Sequence, residues 1–254
     1  MPQYRKFAEV YDQMKADRHS RLMVDYTMDI IHKFKIDVRT GLDLCCGTGT
    51  AIKLFTAHGL EMSGLDASKD MLAVARKKLT GKNVRLYRKT LPKFEIRKRG
   101  KSKQLQRFDL ITSYFDALNY LLTARDLKTC FRGVFRHLEK GGWFVFDMNT
   151  PKALTTLWDE NVHADVTPDL AWVWKNEFYP KTKKAACYAT FFRKRGSMWE
   201  RFDEVHWEAA YPNGEIRKML REVGFTVKGL YHCRTFDRPT KETTRICVVA
   251  RRPL

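Results

Sequence analysis

No stretch of this chain approaches the about 18 consecutive apolar residues that a membrane-spanning helix needs, and the N-terminus leads into mixed polar sequence without an apolar signal core. The expectation is a soluble, cytoplasmic protein with no membrane partner. The six cysteines include no C-x-x-C pair, which argues against a zinc site and for reduced, mostly buried thiols. Internal repeats and low-complexity linkers are also missing, so 254 residues with 44% hydrophobic content fit one domain carrying an insertion. Acidic side chains are scarce: 29 Asp and Glu stand against 48 Lys and Arg, a formal net charge of +19. That balance permits a nucleic-acid partner without establishing one. Much of the excess lies in residues 85–107, including Lys101, where Glu95 is the one acid. Within it, 97–106 has no apolar residue except Leu105, which reads as a solvated loop or, alternatively, as a contact for a polyanion.

What the chain does have is a glycine turn in residues 40–50, Thr40-Gly41-Leu42-Asp43-Leu44-Cys45-Cys46-Gly47-Thr48-Gly49-Thr50. A short buried strand breaks there and a helix opens. Gly47 and Gly49 can take backbone angles closed to other residues, and the helix start presents unpaired N–H groups to a ligand. A second strand, 61–66, ends in Asp66, whose carboxylate is placed to accept both hydroxyls of a ribose. Strand, turn, helix, strand and acid in this register form the mononucleotide half of a doubly wound sheet. The turn is not G-x-G-x-x-G, which weakens a reading as an NAD or FAD site.

Strand and helix alternate from residue 41 onward, implying a parallel sheet. Leu22, Met23, Tyr26, Ile30 and Ile31 mark a packing helix ahead of the first strand. Ser68 reads as the N-cap of a helix with Met71, Leu72, Ala75 and Leu79 on its apolar face. A third strand follows at 84–88 and a fourth at 108–114. The next helix buries Leu127, Phe131 and Val134 and is expected to stop at Gly141-Gly142, before a continuously apolar strand at 143–147. Between 170 and 211 the pattern changes to alternating, aromatic-rich segments that read as antiparallel strands at 171–179, 186–194 and 198–211. A helix at 214–222 and strands at 225–236 and 243–250 close the chain.

These motifs resemble the class I S-adenosylmethionine-dependent methyltransferases. The turn is similar to D-x-G-C-G-T-G with Cys45 in place of the first glycine. Tyr11-Asp12-Gln13-Met14, residues 42–49, 108–120 and 141–150 fall in family order, as in a bacterial subgroup related to sugar N,N-dimethyltransferases. The resemblance implies an α/β fold, a doubly wound Rossmann-like seven-stranded sheet whose last strand is antiparallel. It implies a methyltransferase core at 1–160 and 212–254, and an antiparallel substrate lid at 161–211. S-adenosylmethionine is the implied cofactor. By resemblance Asp43, Gly47, Thr48 and Gly49 surround its methionine part, Asp66 binds the ribose, and Ala67 or Met71 flanks the adenine. Thr90 stands where the family has an adenine-binding aspartate. Tyr114, Phe115, Asp116 and Asn119 leave the fourth strand beside the cofactor, and Tyr11 resembles a tyrosine that closes over cofactor and substrate.

Methyl transfer from a sulfonium is an in-line displacement that needs positioning more than acid–base help; an amine need only be unprotonated, whereas a hydroxyl wants a base. The candidate catalytic residues are Tyr11, Asp116 and His206, with His19 a further candidate base. The alternating aromatic segment that includes Trp172, Phe191, Phe202 and Trp207 suits the core of the insertion on one face and the wall of a closed pocket on the other, which favours a small-molecule acceptor methylated on nitrogen or oxygen. Two alternatives stand beside it: an RNA methyltransferase using the basic loop at 97–107, and a protein that binds S-adenosylmethionine without turnover.

Overall fold

Residues 4, 6–15, 17–100, 103–159 and 161–254 are described by the computed structural model; Lys101 of the basic stretch lies outside them. A short helix α1 (Phe7–Val10) and a long one, α2 (Asp17–Phe34), precede the first strand. Then β1 (Thr40–Leu44), α3 (Thr50–Ala57), β2 (Glu61–Asp66), α4 (Lys69–Lys78), β3 (Arg85–Arg88) and β4 (Phe108–Ser113) alternate along the chain. A 3-10 turn at Ala117–Tyr120 leads to α5 (Ala124–His137), β5 (Leu138–Asn149) and α6 (Pro151–Thr156). Four strands follow: β6 (Val162–Val166), β7 (Leu170–Tyr179), β8 (Lys184–Arg195) and β9 (Met198–Ala209). The chain closes with α7 (Asn213–Val223), β10 (Thr226–His232) and β11 (Arg245–Arg251).

The central sheet has seven strands in the order β10-β11-β5-β4-β1-β2-β3. Neighbours from β5 to β3 pair in parallel, while β11 runs antiparallel to both β5 and β10. Alternate residues of β5 serve the two faces: Phe144 and Phe146 pack with Phe131 of α5 and Leu220 of α7, whereas Val145 packs with Met23 and Ile30 of α2 and Phe55 of α3. Burial on both faces is what drives a continuously apolar strand inward, at about 1.5–3 kcal/mol per large side chain.

The second sheet, β6-β7-β8-β9, is antiparallel throughout. Its inner face, with Leu170, Trp172, Phe191 and Phe202, packs on Phe7 and Val10 of α1, so the N-terminal segment is the floor beneath this sheet.

Three expectations need correction. Gly141-Gly142 does not end the helix: α5 stops at His137 and β5 begins at once, with Gly141 inside the strand at φ 78°. The strand β6 is additional; all five of its residues are exposed, so no apolar alternation marks it. Residues 97–106 are not simply solvated. Arg97 and Leu105 bridge, Gln106 N–H donates to the Ile96 carbonyl at 2.8 Å, and the neighbouring Phe94 and Ile96 are buried.

Candidate active site at the carboxyl ends of the parallel strands

A cavity of about 860 Å³ opens where β1, β2, β3 and β4 end. Its walls include Cys45 and Gly47 after β1, Asp66 and Ala67 at β2, Thr90 after β3, and Tyr114 and Phe115 after β4. The strand order reverses between β1 and β4, and ligands of doubly wound sheets bind at that switch point. A smaller space of about 30 Å³, bordered by Asp43, Thr48 and Thr50, adjoins it and shares Tyr11, Cys45, Gly47, Tyr114 and Phe115 with the large one.

The two glycines of the turn do different work. Gly47 has φ 52°, and a Cβ on it would meet nothing within 4 Å: its main chain faces open space that a side chain would fill. Gly49, at φ 78°, lines neither cavity; a Cβ there would come within 3.0 Å of Leu79 and 3.2 Å of Ala75, so this glycine lets the turn pack on α4. Cys45 adopts φ 55°, a left-handed conformation that favours glycine. Burial pushes its thiol well up.

Asp66 is oriented by main-chain donors. The Gly47 N–H donates to Oδ2 at 2.9 Å and the Ser68 N–H to Oδ1 at 2.8 Å. Burial raises this carboxyl above its ordinary value while those N–H groups oppose the rise. Each carboxylate oxygen keeps a further acceptor position, enough for a vicinal diol. Asp43 is buried, accepts from Thr112 Oγ1 at 2.8 Å, and is pushed up to about 7 by burial. Thr48 donates to Asp12 Oδ1 at 2.8 Å and accepts from Lys78 Nζ at 2.9 Å, while Lys78 pairs with Asp12 at 2.7 Å. These contacts tie the glycine turn to the N-terminal segment. Tyr11 of that segment lines both cavities and meets Phe7 edge-on at 5.3 Å; Tyr114 shares a hydrogen bond with Thr27 Oγ1 at 2.7 Å. Ala67, Met71 and Thr90 also line the large cavity.

Tyr4, Tyr120, Leu121, Leu122 and Trp207 of β9 complete the wall, with Tyr4 beside Ser68, whose Oγ donates to its carbonyl at 2.9 Å. Trp207 belongs to the aromatic segment expected to wall the pocket, whereas Tyr4 had no local signal in the sequence, because nothing short of the tertiary fold brings residue 4 beside residue 207. Besides Gly49, four expected residues line neither cavity. Asp116 lies behind the wall at φ 51°, accepting from Asn149 Nδ2 at 2.7 Å and Arg245 at 3.2 Å, so it is not a base in contact with the cavity. Asn119 is fully buried and donates to the carbonyls of Asn149 at 3.1 Å and Ala209 at 2.9 Å, anchoring the 3-10 turn to β5 and β9. His206 is also buried, and meets the cavity only through Tyr120, whose hydroxyl is 3.1 Å from Nδ1. His19 is engaged elsewhere, 3.1 Å from Asp147 Oδ2 and stacked on Phe115.

The cradle left by Gly47 and the spare acceptor positions of Asp66 fit a nucleoside-bearing cofactor. Residues 42–142 match the methyltransferase domain family. An S-adenosylmethionine-dependent methyltransferase of known structure from Clostridium acetobutylicum ATCC 824 is 28% identical, with a TM-score of 0.86 and 100% of both chains covered. YqeM of Bacillus subtilis (strain 168), described as a methyltransferase, is 28% identical over 244 residues, 96% of this chain and 94% of the relative. The dTDP-3-amino-3,4,6-trideoxy-alpha-D-glucopyranose N,N-dimethyltransferase of Streptomyces venezuelae is 28% identical over 142 residues, 55% of this chain and 56% of that one. This strand order, and that likeness over the whole length, support a class I S-adenosylmethionine-dependent methyltransferase with S-adenosylmethionine as its cofactor.

Proposed function

We propose that the protein methylates a nitrogen of a small-molecule acceptor held beneath the second sheet. The observation that carries this reading is the continuity of the cavity, which runs from Asp66 to Trp207 without a break. At about 860 Å³ it lies near the top of the range of small-molecule sites, roughly 300–1,000 Å³. S-adenosylmethionine supplies a methyl group on a sulfonium, which departs without a proton. The chain's own residues have the rest to do. Asp66 accepts from the ribose, Gly47 leaves room for the main-chain approach, and Ala67, Met71 and Thr90 flank the base. Asp43, Cys45 and Thr48 surround the methionine end, and the rings of Tyr11 and Tyr114 face the cation, a contact of about 0.5–2 kcal/mol. Residues 161–211 act as the lid, excluding water and aligning the acceptor, an effect of roughly 7–11 kcal/mol in favourable cases.

Nitrogen as the accepting atom is supported by the likeness to an amino-sugar N,N-dimethyltransferase. The basic hairpin does not favour RNA as acceptor. Ile96 N–H donates to Nε2 of His137 at 3.0 Å, at the amino ends of β4 and β5, about 20 Å along the strands from the cavity. The test is incubation with labelled S-adenosylmethionine and three acceptors: a dTDP-linked amino sugar, its hydroxyl counterpart and total RNA. Label on the amino sugar is the expected result. Nuclease-sensitive label, with none on either sugar, would overturn the reading.

A further inference from the structure

Four side chains around the acceptor end make one chain of contacts. The Tyr4 and Tyr120 hydroxyls are 2.6 Å apart, and the Tyr120 hydroxyl is 3.1 Å from Nδ1 of His206. On the other side of the imidazole, Nε2 lies 3.4 Å from Glu204 Oε2 and makes no hydrogen bond among the described residues. Glu204 Oε2 is held by the Tyr4 N–H at 2.7 Å. A buried imidazole nitrogen left without a bonded partner is costly, and here it belongs to a ring that reaches the cavity through a single hydroxyl.

We infer that Tyr120 and His206 form a proton relay that takes the proton an acceptor amine must lose, with Glu204 setting its direction. The inference rests on the amine reading above. A carboxylate beside Nε2 favours the tautomer with the proton on Nε2, leaving Nδ1 free to accept from Tyr120. As the new N–C bond forms and the C–S bond breaks, the methylated nitrogen is left with one proton too many. That proton passes to the Tyr120 oxygen while the proton of Tyr120 passes to Nδ1. The resulting imidazolium, beside Glu204, returns it along the same path once the product has left. The same route deprotonates an acceptor that enters as an ammonium. Tyr120 is then the catalytic residue, and His206, Tyr4 and Glu204 position it or hold its proton. The other titratable groups nearby are Asp116 of the turn, paired with Arg245, Glu208 on β9, and Cys187, opposite His206 across β8 and β9.

The first measurement is nitrogen NMR of the cofactor-free protein, with the His206 signals assigned against His206→Gln. A neutral ring protonated on Nε2, whose Nδ1 shift moves in Tyr120→Phe, is the expected result; a proton on Nδ1 overturns the relay. The second uses the dTDP-linked amino sugar as probe. Tyr120→Phe should lower kcat at least tenfold at pH 7 and by progressively less as the pH rises and solvent takes the proton, with S-adenosylmethionine affinity by calorimetry within twofold. A loss that is the same at every pH overturns it, because it marks a packing role alone. If the wild-type protein leaves the probe unmethylated, the amine reading is what has failed for that sugar, and the imidazole tautomer still decides the relay.

Discussion

Asp66 shows how one carboxylate can serve the fold and the ligand together. It receives two main-chain N–H groups and faces the cavity, so Asp66→Ala removes both the turn's internal bonds and the proposed ribose acceptor. At about 1.5–3 kcal/mol per charged hydrogen bond, S-adenosylmethionine should bind at least tenfold more weakly, with a modest fall in Tm; unchanged affinity by calorimetry would refute the ribose assignment. Asp43 gives a prediction of opposite character. Its carboxyl is pushed up to about 7 by burial, from an ordinary value of 3.8. A group with a raised folded-state pKa contributes stability that is complete below about pH 4 and is lost as the pH rises through about 7. Asp43→Asn should flatten that decline, read as urea midpoints across the interval; an unaltered slope would show that Asp43 is not its source. Cys45 departs from the glycine of the family turn, and its φ of 55° shows what that position demands. Cys45→Gly should leave cofactor affinity within about threefold, since the backbone already holds the conformation that glycine accepts without strain.

Asp147 fastens four elements at once. On β5, it accepts from Arg245 of β11, from the Phe115 N–H after β4 at 2.6 Å, and meets His19 of α2 at 3.1 Å. Burial alone would raise its carboxyl, but the Arg245 guanidinium and His19 override that and hold it at about 2. Its contribution is present above the ordinary value near 3.8 and is lost as the pH falls through about 2. Asp147→Asn should remove that acid limb and cost about 3–5 kcal/mol at neutral pH, because Arg245 loses a buried partner; denaturation midpoints at about pH 7 and pH 3 check both. Most elements were legible in the chain because burial leaves a periodic imprint: β1, β2, β4 and α5 stand where their apolar patterns place them. What escaped was set by contacts distant in sequence. Gly141-Gly142 reads locally as a helix stop, yet main-chain bonds with Arg252 just past β11, at 3.0 Å from the Gly141 N–H and 2.8 Å to the Gly142 carbonyl, carry the strand through it. Asn119 reads as a cofactor ligand by family order, but its amide satisfies two carbonyls that only the folded chain brings together.

Across the whole molecule, the basic stretch divides: Arg88 and Lys89 line the cavity, while the described residues of 97–106 lie away from it. The basic hairpin projects from the amino ends of the strands, and the cavity opens at their carboxyl ends. Replacing Arg97, Lys98 and Arg99 together by glutamate should therefore leave kcat/KM for a small acceptor within about twofold at moderate salt; a loss of tenfold or more would make the hairpin part of acceptor recognition. The N-terminal segment joins both sides of the cavity. Tyr4 accepts at its carbonyl from Ser68 Oγ, at the start of α4, and donates from its N–H to Glu204 on β9, while Asp12 holds Thr48 and Lys78. The wall of the acceptor compartment is thus bolted to the wall of the cofactor compartment by one short piece of chain. On the proposed reading we expect compulsory order: cofactor first beneath the segment, acceptor second against its tyrosines, spent cofactor last. Product-inhibition patterns should be those of an ordered sequential enzyme.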